Sequence, residues 1–374
     1  MSVTDLVEAM HLNIAKTVKT APPAQQVTRG ITGLVYRSIR GVARLVGAGL
    51  DAVLAPAVAR LGEGSSPPGR EALLAALNGV VGDHLAASAN PLAIPMRLRR
   101  DGQPLEPGPL LAAAIPRPSG RLVVLAHGLC MNDLQWNRKG HDHGAALARD
   151  LGYTPLYLHY NSGLHVSTNG RELAGLLESL VRHWPVPVEE LAILGHSMGG
   201  LVARSACHYG GVEGHDWPRV LKRLVFLGTP HHGSPLERGG NWVDVVLGTT
   251  PYTAPLARLG KIRSAGITDL RHGNLLDEDW AGRDRFERSA DPRRPVPLPE
   301  GVACYAMAAK AKKGLGGPWP GDGFVPPDSA LGHHEEPGLS LSFPESRRWV
   351  LHGTHHFDLL GRQAYGKIRK WLAS

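Results

Sequence analysis

From about Met96 onward, short apolar runs alternate with stretches whose apolar residues recur at helical spacing. The runs predict strands over Met96 to Arg100, Arg121 to Ala126, Thr154 to Tyr160, Leu191 to Gly195, Arg223 to Leu227, Ala303 to Ala308 and Arg348 to His352. Helices are expected over Ala145 to Asp150, Gly170 to His183, Met198 to His208 and Phe357 to Leu372. Such alternation builds an α/β architecture, a mostly parallel sheet with helices on both faces. Ahead of it, residues 31 to 61 carry an apolar stripe from Ile31 to Leu61 with arginines mostly off the stripe, which predicts one or two amphipathic helices divided near Pro56. The run Ser65-Ser-Pro-Pro-Gly69 reads as a linker before a second helical patch, Arg70 to Leu85. The expected organisation is therefore an N-terminal helical region over 1–95 and an α/β unit over 96–374.

One connection breaks the rhythm. About 75 residues separate the strand ending at Leu227 from the one starting at Ala303, where a crossover needs only a dozen or so. Insertions of this kind gather at the carboxyl edge of a parallel sheet, so residues 232–300 are expected to form a lid or cap. Its apolar residues, Trp242, Val246, Tyr252 and Leu256 among them, either line an acyl pocket or give the insertion a small core of its own.

Composition narrows the class without naming a function. The 374 residues are 43% apolar and 20% charged, enough to bury a sizeable core without disulfides. Three scattered cysteines, Cys130, Cys207 and Cys304, form no CxxC spacing, which argues against a disulfide framework or a cysteine-rich zinc site and fits a reducing, cytoplasmic setting. No secretory signal is read in the N-terminus, and Arg37, Arg40, Arg44, Asp51 and Arg60 divide the most hydrophobic region, so a spanning helix is not expected. The formal charge of +8 is spread rather than clustered with aromatics, so nucleic acid is not an expected partner, whereas peripheral contact with an anionic membrane through the N-terminal helices is compatible with it.

The chemistry sits in Leu191-Ala-Ile-Leu-Gly-His-Ser-Met-Gly-Gly-Leu, an apolar strand joined to a helix through G-x-S-x-G. A turn this tight lifts a serine above the sheet and leaves no room for side chains two residues to either side, which Gly195 and Gly199 satisfy. Ser197 is the expected nucleophile, at a helix start where the Met198 amide faces developing negative charge. A second donor should come from the loop after an earlier strand; Arg121 to Ala126 runs into His127-Gly128-Leu129, making the Leu129 amide the candidate. His127, Gly128 and His196 are expected to line and support the substrate side. Cys130 is a rival nucleophile without the strand-to-helix context. The base should follow the last strand, where His352, His355 and His356 compete and His356 is favoured. The orienting acid should lie between nucleophile and base in chain order; Asp322, in Gly-Asp-Gly-Phe-Val-Pro, is favoured over Asp328. The pairs His141/His143, His231/His232 and His333/His334 lack the i, i+4 helical spacing of a zinc hydrolase, so neither metal nor other cofactor is expected.

On these residues, together with Leu227-Gly-Thr-Pro-His-His-Gly-Ser-Pro and His356-Phe-Asp-Leu-Leu, the sequence over about residues 120 to 373 resembles the lipase and esterase branch of the α/β-hydrolase superfamily, in particular PGAP1-like serine hydrolases of bacteria. The resemblance implies the α/β-hydrolase fold, a Ser197–Asp322–His356 triad, an oxyanion hole from the Leu129 and Met198 amides, and hydrolysis of carboxylic esters, small or lipid-borne. A membrane-recruited phospholipid deacylase and an inactive binding scaffold are the competing readings. The first 95 residues lie outside the resemblance.

Overall fold

The structure, a computed structural model, describes residues 68–108, 117–234, 263–283, 293–311 and 321–374, with Leu111, Ile115 and Asp291. The amphipathic stripe at 31–61 and most of the expected lid, including Trp242, Val246, Tyr252 and Leu256, lie outside the described residues.

In chain order the elements are α1 (Pro68–Ala87), β1 (Arg97–Arg100), β2 (Gln103–Leu105), β3 (Arg121–Ala126), α2 (His143–Leu151), β4 (Thr154–His159), α3 (Val166–His183), β5 (Glu190–His196), α4 (Met198–Val212), α5 (Trp217–Val220), β6 (Leu221–Leu227), α6 (Ala265–Asp269), β7 (Ala303–Lys310), α7 (Pro327–Ala330), β8 (Arg348–His352) and α8 (Arg362–Ala373). The strands form one sheet in the order β2-β1-β4-β3-β5-β6-β7-β8. β3 through β8 run parallel, and β1 is antiparallel to both β2 and β4. This is the α/β-hydrolase fold.

All seven expected strands are present within a few residues of their expected ends. β2 went unpredicted because three residues, one a proline, give no alternation to read; an edge position tolerates Pro104. The central strands are apolar on both faces, as a sheet covered on both sides requires. Alternate residues feed two cores. Leu122, Val124, Ile193 and Phe226 pack with α1, α3 and α4, while Val123, Leu125, Leu194 and Val225 pack with α2 and α8. The closing helix is divided where a single run from Phe357 was expected: a 3-10 turn covers His356–Leu360, Gly361 is extended, and α8 starts at Arg362. The separate turn holds His356 at a fixed orientation.

Chain order fixes the place of the site. From β3 the chain steps outward to β4 on one side and continues to β5 on the other, so β3 and β5 diverge at their carboxyl ends, where Ala126 pairs with Gly195. Such a switch point opens a crevice above the strand ends. The segments Ala126 to Met131 and Gly195 to Gly200 meet in it.

Candidate active site

Ser197 bridges β5 and α4 with φ 52° and ψ −124°, a left-handed conformation that L side chains adopt only when the surroundings enforce it. Its amide donates to Leu227 O at 2.9 Å and its carbonyl accepts from Gly200 N at 3.1 Å. The flanking glycines are dictated by crowding. A β-carbon on Gly195 would lie 2.5 Å from the Gly200 backbone, and one on Gly199 would lie 2.2 Å from Ala126 O. Strand, elbow and helix thus lock together through backbone contacts that no larger residue permits, and the serine is held in a strained turn above the sheet edge.

The loop after β3 folds directly against this elbow. A β-carbon on Gly128 would stand 3.0 Å from Ser197 Cβ. Beyond it Cys130 has φ 58°, its amide donates to Ser162 Oγ at 3.1 Å, and Met131 N donates to Gly128 O at 3.3 Å. The amide between them, that of Leu129, donates to no partner among the described residues. The Met198 amide is likewise without an acceptor, as the first residue of a helix must be. Two unspent N–H groups therefore flank the serine, one from each segment.

The histidines expected to line the site are part of its frame. His127 is fully buried, donates through Nδ1 to Gly128 O at 2.9 Å, and stacks on Tyr160 at 4.3 Å between ring centroids. The Tyr160 hydroxyl donates to His127 O at 2.7 Å. Burial pushes the His127 imidazole down to about 3, so it is neutral. His196 is also fully buried, its pKa driven well below the usual histidine range by burial and by the neighbouring His356 ring 4.8 Å away. Gly128 is the member of the trio that touches the serine.

Asp322 and His356 form a closed pair. The imidazole Nδ1–H donates to Asp322 Oδ2 at 2.7 Å, and the two side chains are 2% and 1% exposed. The other carboxylate oxygen accepts the amides of Phe324 at 2.9 Å and Val325 at 2.8 Å, so the Gly-Asp-Gly-Phe-Val loop is built around its own aspartate. Each Asp322 oxygen has its partner, and the acid cannot rotate away. His356 Nε2 is buried with no partner among the described residues. Its ring lies beside the elbow, since His196 Nε2 is 3.5 Å from His356 O. Gly228 backs it, with φ 61°, because a β-carbon there would lie 2.9 Å from His356 Cε1.

The rivals are placed elsewhere. His352 and His355 are exposed; His355 caps the turn, its amide donating to Asp358 Oδ2 at 3.0 Å. Asp328 is exposed beside His333. Cys130 is buried with its thiol pushed up to about 12 by desolvation, which keeps it from becoming a thiolate nucleophile. His141 and His143 bond to each other at 2.9 Å, and His143 also bonds to Leu359 O, so both serve the α2–α8 packing. His231 packs on Phe226 and Phe343 next to Arg204, His232 faces His334, and His333 bonds to Arg348.

Two features of the frame escaped sequence reasoning. Tyr160-Asn161-Ser162-Gly163 follows β4 as a polar cluster at the carboxyl edge, a position that could have marked it. Gly228 belonged to a motif that entered only through the resemblance; in the structure its missing side chain lets the imidazole approach.

This constellation sits at the switch point of an α/β-hydrolase fold. Residues 117–292 match the family model described as PGAP1-like alpha/beta domain. Comparison with curated proteins gives no match. Among solved structures the chain is similar to a Bacillus licheniformis lipase, BlEst2 in its mature form, at 18% identity and TM-score 0.45 over 69% of this chain and 94% of that one. It is similar to Aspergillus fumigatus lipase B at 11% identity and TM-score 0.43, over 98% of this chain and 83% of that one. Phospholipase PlaB from Legionella pneumophila is similar at 14% identity and TM-score 0.38, over 57% of this chain and 46% of that one. Among the described residues no helix is long and apolar enough to cross a membrane.

Proposed function

We propose that the protein is a serine hydrolase that cleaves carboxylic esters through an acyl-enzyme. The observation that carries the proposal is the buried Asp322–His356 pair, fixed at both carboxylate oxygens, with Nε2 left unspent beside a strained serine elbow. In this reading His356 Nε2 takes the Ser197 hydroxyl proton as Oγ bonds to the ester carbonyl carbon. Asp322 holds the imidazole in the tautomer that leaves Nε2 free to accept. The Leu129 and Met198 amides receive the carbonyl oxygen as it becomes an oxyanion. The proton passes from His356 to the leaving alcohol. Water then attacks the acyl-enzyme with the same proton relay, releasing the carboxylic acid and restoring Ser197.

Ser197→Ala tests the reading. The variant should retain its fold and lose p-nitrophenyl ester turnover by at least about 10⁴-fold, and the wild type should label at Ser197 with a fluorophosphonate. Unchanged turnover in the variant refutes the assignment. A fold without Ser197-dependent turnover or labelling is a binding scaffold. The apolar stripe at 31–61, with its arginines mostly off the stripe, favours a lipid-borne ester. Turnover rising with acyl length and with added anionic vesicles supports that substrate, and preference for acetate or butyrate in solution opposes it.

A further inference from the structure

Helix α1 lies in the part of the chain that the sequence resemblance leaves unexplained, yet it is packed into the back of the candidate oxyanion site. The contact is made at glycine. A β-carbon on Gly79 would lie 2.2 Å from Cys130 Sγ and 2.9 Å from Cys130 Cα, so the α1 backbone rests directly on the residue after Leu129. Cys130 is itself held at φ 58°, and its thiol approaches Ala76 O at 3.8 Å. A strained loop residue is therefore clamped between α1 on one side and Ser162 on the other.

The same stretch of α1 reaches the Met198 side chain through α6. Ser264 Oγ donates to Gly79 O at 2.6 Å, and Asp83 Oδ2 accepts Ala265 N at 3.0 Å, docking the start of α6 on α1. Gly266, one residue further, donates to Gly163 O at 3.0 Å, and a β-carbon on it would lie 3.0 Å from Met198 Cε. The Leu129 loop thus leans directly on α1 next to its kink at Val81, and the Met198 side chain meets α1 through α6.

We infer that residues 79–83 of α1 position the oxyanion hole, with Gly79 bearing directly on the Leu129 loop and Asp83 acting through α6 on the Met198 side chain. The inference rests on the catalytic reading above. Oxyanion donors act only when aimed at the oxygen of the transition state, so a shift of a few tenths of an ångström in either loop is felt in kcat before it is felt in substrate binding.

Gly79→Ala is the direct test. Alanine is the better helix former, so propensity alone predicts a firmer α1, while the added β-carbon must push Cys130 away. We expect kcat for p-nitrophenyl butyrate to fall about 10- to 100-fold with KM within about threefold, a part of what losing one oxyanion donor costs. The rate of Ser197 phosphonylation by a fluorophosphonate should fall in step. Gly79→Ala combined with Cys130→Gly, which removes the 2.2 Å thiol contact, suits the positive φ and leaves only the 2.9 Å approach to the backbone, should recover part of the loss. Should Gly79→Ala not fold, the Asp83 pair decides: Asp83→Ala lowers kcat and Asp83→Asn, which keeps an acceptor for Ala265 N, restores it. A folded Gly79→Ala with kcat within twofold of wild type, a change confined to KM, or a double variant as slow as the single one overturns the inference. Failure of the catalytic reading looks different, because the wild type then lacks Ser197-dependent turnover altogether.

Discussion

Replacing Asp322 by asparagine alters only the end of one side chain, and the site is arranged so that this change separates catalysis from folding. Asparagine Oδ1 can still accept the amides of Phe324 and Val325, now at 2.9 and 2.8 Å from the carboxylate, so the loop should keep its shape. The amide group would then face His356 Nδ1, which donates to Oδ2 at 2.7 Å in the native pair. A donor cannot accept, so the imidazole must turn its Nδ1 lone pair to the new NH₂ and carry its proton on Nε2. That nitrogen can no longer take a proton from Ser197. Loss of the correct tautomer costs about 10⁴ in kcat where the same triad logic operates, or about 5 kcal/mol of transition-state stabilisation. Asp322→Ala makes the contrast. It removes the acceptor of two buried amides, each costing about 1–3 kcal/mol when orphaned, a substantial share of the 5–15 kcal/mol that holds an ordinary domain together. Steady-state kinetics on p-nitrophenyl butyrate with calorimetric melting of wild type and both variants provides the measurement. Asp322→Asn should melt near wild type and be inactive at the 10⁴ level, and Asp322→Ala should melt markedly lower. An Asp322→Asn enzyme within tenfold of wild-type kcat would refute the role assigned to the acid.

Two further outcomes follow from the same geometry. His356→Ala should abolish turnover, whereas His355→Ala, exposed and engaged through its backbone, should leave kcat within about threefold; the reverse pattern would move the base to His355. Stability should fall on mild acidification, since burial lowers His127 and His232 to about 3 and His143 to about 4 from a normal 6.5. These groups stay neutral in the fold but take up protons on unfolding below pH 6.5, so the unfolded state binds more protons and stability decreases as pH falls from 6.5 toward 4. At about 1.4 kcal/mol per group and pH unit, three groups remove on the order of 4 kcal/mol per unit through that window. Melting curves at pH 7, 6 and 5 check this, and a constant or rising melting temperature would contradict it.

Much of the candidate site was legible in the sequence. The G-x-S-x-G segment has one physical use between a buried strand and an amphipathic helix, and the crowding at Gly195 and Gly199 bears out that reason. The strands were legible because a sheet covered on both faces needs continuous apolar runs, which local sequence shows plainly. The choice among three closely spaced histidines was not legible. His352, His355 and His356 differ in sequence by a few positions, but in space only His356 turns inward to Asp322, because the strand ends and a short 3-10 turn intervenes. His127 and His196 were read as lining and supporting the substrate side; the structure shows both rings buried, His127 stacked on Tyr160.

By itself, then, the sequence determined the sheet, the elbow and the chemical types that must surround it, because strand burial and backbone crowding act between residues close along the chain. The tertiary structure decided which of several equivalent side chains point into the crevice, why Gly228 must lack a side chain, and that α1 belongs to the site. Those facts depend on contacts such as Gly79 with Cys130 and Asp322 with His356, between segments far apart in sequence. No local pattern encodes such a meeting; it exists only once the sheet has brought the loops to one edge.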